Sequence, residues 1–180
     1  FYKETLLPEY GEIYKWIQKN IFGNKELLKS WMRGEVRWTD INSLISNNTI
    51  IGREKLDHLF LESVKKMRID AQMKNLAEEI RNLGIKVAIV TDNMDIFSEI
   101  TVGNHNLNQI FDAVINSSDH GLLKNDHDGK LFDLALEKLG CDIKNSLLID
   151  DSENNVDLYK QKGGDVFHYN ENFQDLKNKV

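Results

Sequence analysis

Three groups of residues in this sequence have the chemistry to handle a phosphate: Thr91-Asp92-Asn93, Lys124, and Asp150-Asp151 with Asn155 four residues on. A threonine hydroxyl and a lysine ammonium can hold phosphoryl oxygens, and hard carboxylate oxygens suit Mg2+, which usually binds through one or two carboxylates. Taken singly, each group has a plainer explanation. Thr91-Asp92-Asn93 and Asp150-Asp151-Ser152 could cap the helices that follow them, and Lys124 could be a solvated surface lysine. However, two adjacent carboxylates at the end of an apolar strand repel each other and lose solvation, and a cation would relieve both costs. The three groups together outweigh three separate coincidences.

The elements that must carry these residues follow from periodicity. The runs Lys86–Val90, Ala113–Ile115, Ser146–Ile149 and Asp165–Tyr169 read as buried parallel strands with helices between them. Ligands bind beyond the carboxyl ends of such strands, which is where the three groups fall. From Pro8 to about Leu83 the apolar residues instead recur at helical spacing, as in Ile13, Trp16, Ile17 and Leu56, Leu59, Phe60, Val64. Breaks at Gly23-Asn24, Gly34 and Asn47 to Gly52 divide this half into four or five short helices, with Thr39 and Asp40 as caps. The expected fold class is α/β: a Rossmann-like parallel sheet wrapped by helices over residues 71–180, carrying a helical module over 8–70.

Composition narrows the partners. A chain of 180 residues that is 41% hydrophobic can bury one sizeable core. Its net charge of -6 gives no basic field for nucleic acid or an anionic membrane. Cys141, the single cysteine, rules out an internal disulfide and reads as a small buried filler in a cytoplasmic protein. No segment approaches the ~18 apolar residues of a membrane span. Asn47-Asn48-Thr49 and Asn116-Ser117-Ser118 match the glycosylation pattern only formally.

These residues resemble the haloacid dehalogenase (HAD) superfamily, in particular its capped, phosphatase-like members. Gly84 to Asn93 looks like the second motif, whose hydroxyl residue, here Thr91, binds the transferred phosphoryl group; Asp92 stands where asparagine is commoner. Gly121-Leu122-Leu123-Lys124-Asn125-Asp126 with Leu131 to Ala135 resembles the third motif, which assigns Lys124 to the nucleophile and the phosphate. Asn125 replaces a usual proline, and the spacing from Lys124 to Phe132 is about two residues longer than usual. Leu147 to Val156 is similar to the fourth motif in its double-aspartate form, which implies Mg2+ on Asp151, with Asp150 beside it and Asn155 supporting the shell.

The family's first motif, Asp-x-Asp-x-Thr, supplies the nucleophile and is not in this sequence. One register sets Phe1 to Leu6 against it and matches only Thr5 and Leu6. In the family the first strand lies between those ending here at Thr91 and Asp150, so its removal leaves a gap of roughly 10 Å that no backbone hydrogen bond can cross. The expectation is therefore an open central slot, filled by a strand from upstream of Phe1 or by another segment. The helical half resembles the family's cap, which closes over substrate, and Trp31, Trp38, Tyr10 and Tyr14 are candidates either for its core or for the pocket wall.

The resemblance implies a Mg2+-dependent phosphatase acting on a small phosphorylated metabolite through an aspartyl-phosphate. The alternatives are a catalytically inactive HAD-fold binding or regulatory protein, and a haloacid dehalogenase, to which Asp150-Asp151 would be of little use. A calcium loop from Lys124 to Ala135 fails because both end positions lack acids. His120 and His127, flanking Lys124, read as surface-loop residues.

Overall fold

A computed structural model describes every residue of the chain except 171. Its first half is helical: α1 (Lys3–Leu6), α2 (Gly11–Ile17) running into a π-helical turn (Gln18–Phe22), α3 (Lys25–Met32), α4 (Trp38–Asn48), α5 (Arg53–Lys65) and α6 (Ala71–Asn82). Local chemistry sets their starts. Asn24 caps α3 by accepting the Leu27 N–H, and Asp70 caps α6 by accepting those of Gln72 and Met73. The sequence-based caps of α4 need correction: the flanking residue is Arg37, Thr39 lies inside the helix, and Asp40 acts from the third position by accepting the Arg37 N–H.

α1 to α5 enclose one apolar cluster. Phe60, fully buried, stacks on Trp38 at 5.5 Å and meets Tyr2 at 4.8 Å, Phe1 at 5.4 Å and Trp31 at 6.4 Å. Tyr10 and Tyr14 pack against the same cluster, so all four candidate aromatics take part in the core. Residues ahead of Pro8 belong to it as well, since Tyr2 and Leu6 are fully buried there. That placement excludes the register in which Phe1 to Leu6 would end a strand.

The second half alternates as expected: β1 (Ala88–Thr91), a π-helical turn (Phe97–Thr101), α7 (Val102–Asn104), α8 (Leu107–Ile110), β2 (Ala113–Asn116), α9 (Ser117–His120), α10 (Lys130–Leu139), β3 (Leu147–Asp150), α11 (Glu153–Gln161), β4 (Asp165–His168) and α12 (Phe173–Lys179). β1 pairs with β2 in parallel from Ala88↔Ala113 to Thr91↔Asn116, and β3 with β4 from Leu147↔Asp165 to Asp150↔His168. β1 and β3 share no ladder, so the sheet consists of two half-sheets of two strands each.

Between the half-sheets lies a cleft of about 700 Å³ walled by Ala88 and Val90 of β1, Leu147 and Ile149 of β3, and Phe132 and Leu136 of α10. Apart from the last residue of β3, both strands are only half-buried, although apolar strands of a parallel sheet are ordinarily covered on both sides. This is the open slot expected from the sequence. Cys141 lies at its rim, half-buried rather than fully enclosed.

Phe60→Ala should cost about 3–5 kcal/mol in urea unfolding, because it opens a cavity between four aromatic rings. A loss under about 1 kcal/mol would mean that this ring is not the keystone of the helical half.

Candidate functional site

Lys124 leaves β2 by way of α9 and Gly121, whose left-handed backbone (φ 69°) turns the chain back across the sheet. A tight turn follows, in which the Asp126 N–H donates to the Leu123 carbonyl (3.0 Å) and the Leu123 N–H to Asp126 Oδ2 (2.9 Å). Lys124 sits within this turn and reaches both half-sheets. Its N–H donates to Asp92 Oδ1 (2.8 Å) just past β1, and its Nζ donates to Asp150 Oδ2 (2.7 Å) at the end of β3. The pair is well buried, with side-chain exposures of 14% and 6%.

Every oxygen of Asp150 is occupied. Oδ1 accepts the Ser152 N–H and Asn155 Nδ2, both at 2.9 Å, and the main-chain carbonyl accepts the Tyr169 N–H. Burial pushes the Asp150 carboxyl upward, but the bonds from Lys124, Asn155 and Ser152, with the lysine's charge, outweigh it and hold the group below the ordinary carboxylate range. Asp92 goes the other way, since burial raises it more than the Lys124 N–H and charge lower it. Asp151 differs from both. It is exposed, and its carboxylate accepts no hydrogen bond among the described residues, whereas its main-chain carbonyl lies 2.9 Å from His168 Nε2.

Asp150, Asp151, Lys124 and Ile149 line a cleft of about 620 Å³ together with Met73, Tyr169 and Asn170. Thr91 ends β1 opposite Asn116 and adjoins Asp92, with its hydroxyl unpartnered among the described residues. Asn93 is placed differently: its N–H donates to Ser117 Oγ (2.9 Å) and its side chain accepts the Met94 N–H (2.9 Å). It fixes the loop after β1. His120 and His127 are exposed and do not line this cleft.

The donor set can be weighed for a divalent cation. Among the described residues no three Asp, Glu, His or Cys side chains are grouped to hold one. Asp150 and Asp151 nevertheless bring hard oxygens to one cleft, and Asn155, which donates to Asp150, has a buried Oδ1 without a partner among the described residues. Such a set fits half of a Mg2+ shell, the remainder of which is ordinarily water and substrate oxygen.

Sequence reasoning missed three wall residues. Tyr169 was assigned to the fourth strand, although the rule that found the other groups, to look just past each strand, points to Tyr169-Asn170. Met73 enters from the first turn of α6 and carries no such signal.

A model of the haloacid dehalogenase-like hydrolase family matches residues 4–161, and the chain belongs to that family. No curated protein matches the sequence. Among solved structures, the HAD family enzyme bt-2542 of Bacteroides thetaiotaomicron, crystallised as a mutant with magnesium and inorganic phosphate, is 15% identical; the match covers 97% of this chain and 91% of that one, with a TM-score of 0.73. A HAD-like family hydrolase of Porphyromonas gingivalis is 16% identical over 98% and 89% of the two chains, TM-score 0.73. A dehalogenase is 12% identical over 99% and 81%, TM-score 0.62. At these identities the likeness is one of fold.

Asp92→Asn should stabilise the protein at pH 7, since it removes a charge that burial disfavours while its Oδ1 can still accept the Lys124 N–H. With the folded-state value raised, wild-type Asp92 loses stability as pH rises from about 4. The melting-temperature gain should therefore close below about pH 4, and an equal gain at pH 3 and pH 7 would contradict the assignment.

Proposed function

We propose that this HAD-family hydrolase is a Mg2+-dependent phosphatase for a small phosphorylated metabolite, working in the cytoplasm. The observation that carries this reading is Lys124, whose main chain is held at the end of one half-sheet and whose ammonium at the end of the other. Between them is the slot in which a strand ending in the nucleophilic aspartate would lie. That aspartate is not among these residues, as the first aspartate in the sequence is Asp40. Residues 8–70 would form the cap and residues 71–180 the core.

The roles follow from the contacts. Lys124 and Thr91 would hold the phosphoryl oxygens as an aspartyl-phosphate forms and is hydrolysed, with Asp92 and Asn93 fixing the loop beside them. Asp151, exposed and with its carboxylate unbonded among the described residues, would coordinate Mg2+ directly. Asp150, already bound to Lys124 and Asn155, would orient that shell more than serve it, and Asn155 would support it. The metal's contribution when bound is to neutralise charge on the transferring group. The net charge of -6 is in keeping with a small-molecule rather than a nucleic-acid substrate.

The missing Asp-x-Asp-x-Thr favours a second reading, in which the fold binds phosphate without turning it over. The whole gene product, assayed on p-nitrophenyl phosphate, separates the two. The phosphatase reading expects turnover with Mg2+ that is abolished by EDTA, and losses on the order of 100-fold or more in Asp151→Asn and in Lys124→Ala. Phosphate binding without turnover would establish the second reading, and full activity in EDTA would remove the metal from the account.

A further inference from the structure

The turn that holds Lys124 is not anchored by the core alone. Arg33, directly after α3 in the helical half, grips Asp126 with both prongs of its guanidinium: Nε to Oδ2 and a terminal nitrogen to Oδ1, each at 2.9 Å. This is the paired geometry in which arginine holds a carboxylate most firmly. The same Asp126 Oδ2 accepts the Leu123 N–H at 2.9 Å, so one carboxylate both closes the turn around Lys124 and receives the arginine. Both side chains are about three-quarters covered, at 28% and 25% exposure. The arginine's hydrogen bond is also the main reason Asp126 sits below the ordinary carboxylate range.

The backbone beyond Asp126 needs holding. His127 (φ 48°), Asp128 (φ 54°) and Gly129 (φ 77°) are consecutive left-handed residues, a conformation that costs a non-glycine residue energy and persists only where the surroundings impose it. On the core side, Lys162 Nζ donates to the Asp128 carbonyl (2.8 Å). On the other side the restraint is Arg33. Its neighbours are seated with equal closeness: the Ser117 hydroxyl donates to the Met32 carbonyl (2.6 Å), and a Cβ on Gly34 would come within 2.3 Å of the Ser118 carbonyl oxygen. α3 therefore meets the core both at the end of β2 and at the lysine turn.

We propose that Arg33 is a positioning residue for Lys124, acting through Asp126, so that the ammonium is placed only while the helical half is seated on the core. The inference rests on the phosphatase reading for its purpose and on the Arg33–Asp126–Leu123 contacts for its substance. It makes the position of the helical half an input to the site although, among the described residues, that half contributes nothing before Met73 to the cleft wall.

The test has two arms, both on the full chain. The first is calorimetric binding of inorganic phosphate in the presence of Mg2+. Arg33→Ala should weaken it about tenfold, Arg33→Lys should recover only part because a single ammonium lacks the fork, and Arg33→Ala should add nothing once Lys124 is methionine. The second arm is amide hydrogen exchange, in which Leu123 and Lys124 should lose protection in Arg33→Ala. They should keep it in Arg53→Ala, which breaks an ion pair internal to the helical half. Equal losses of affinity from Arg33→Ala with and without Lys124 would overturn the proposal, because they would mark Arg33 as a general structural residue. Unchanged protection at Leu123 and Lys124 would also overturn it. If the wild type binds no phosphate, the phosphatase reading fails instead, and the exchange arm still decides: protection lost in Arg33→Ala upholds the tie, and protection kept refutes it.

Discussion

One ion pair spans a break in the sheet, and most of the molecule's organisation turns on it. Two parallel half-sheets face each other across an apolar slot with no ladder between them. The connection at their carboxyl ends is Lys124, bonded to Asp92 on one side and Asp150 on the other. A buried lysine–carboxylate pair is costly unless its remaining donors and acceptors are met. Here Asp150 is met at all of its oxygens, which is why its carboxyl stays below the ordinary range despite burial.

That arrangement divides the labour of the twin acids. From the sequence, Asp150 and Asp151 are equivalent oxygen donors one residue apart. In the fold, Asp150 ends β3 and is bonded to lysine and asparagine, while Asp151, just past the strand, is exposed in the same cleft with its carboxylate unpaired among the described residues. A cation arriving there would find one carboxylate free and one already committed. The contrast between Asp92 and Asp150 has the same origin. Both meet Lys124, but Asp92 receives one N–H while Asp150 receives an ammonium and two further donors, and so burial prevails at the first and not at the second.

What could be read from the sequence was what short-range pattern encodes. The β-branched and aliphatic runs located all four strands to within two residues, and the strand-end rule brought Lys124, Asp150 and Asp151 to one cleft. The open slot followed from the resemblance to the HAD superfamily, which places a strand between those ending at Thr91 and Asp150, with strand spacing giving its width. What could not be read depends on contacts distant in the chain. Arg33 meets Asp126 across 93 positions and Trp31 donates to Asp95 across 64, and no local pattern announces either. The start of α4 was misjudged because Thr39 and Asp40 are good capping types. The helix begins earlier, at Arg37-Trp38, where Asp95 accepts the Trp38 N–H and draws the turn onto the core.

The most direct measurement is anomalous diffraction from crystals of this chain grown with Mn2+ in place of Mg2+ and with inorganic phosphate. The account predicts a metal peak on the Asp151 carboxylate and a phosphate within hydrogen-bond distance of both Thr91 Oγ1 and Lys124 Nζ. A metal bound away from Asp151, or a phosphate that touches neither Thr91 nor Lys124, would contradict it.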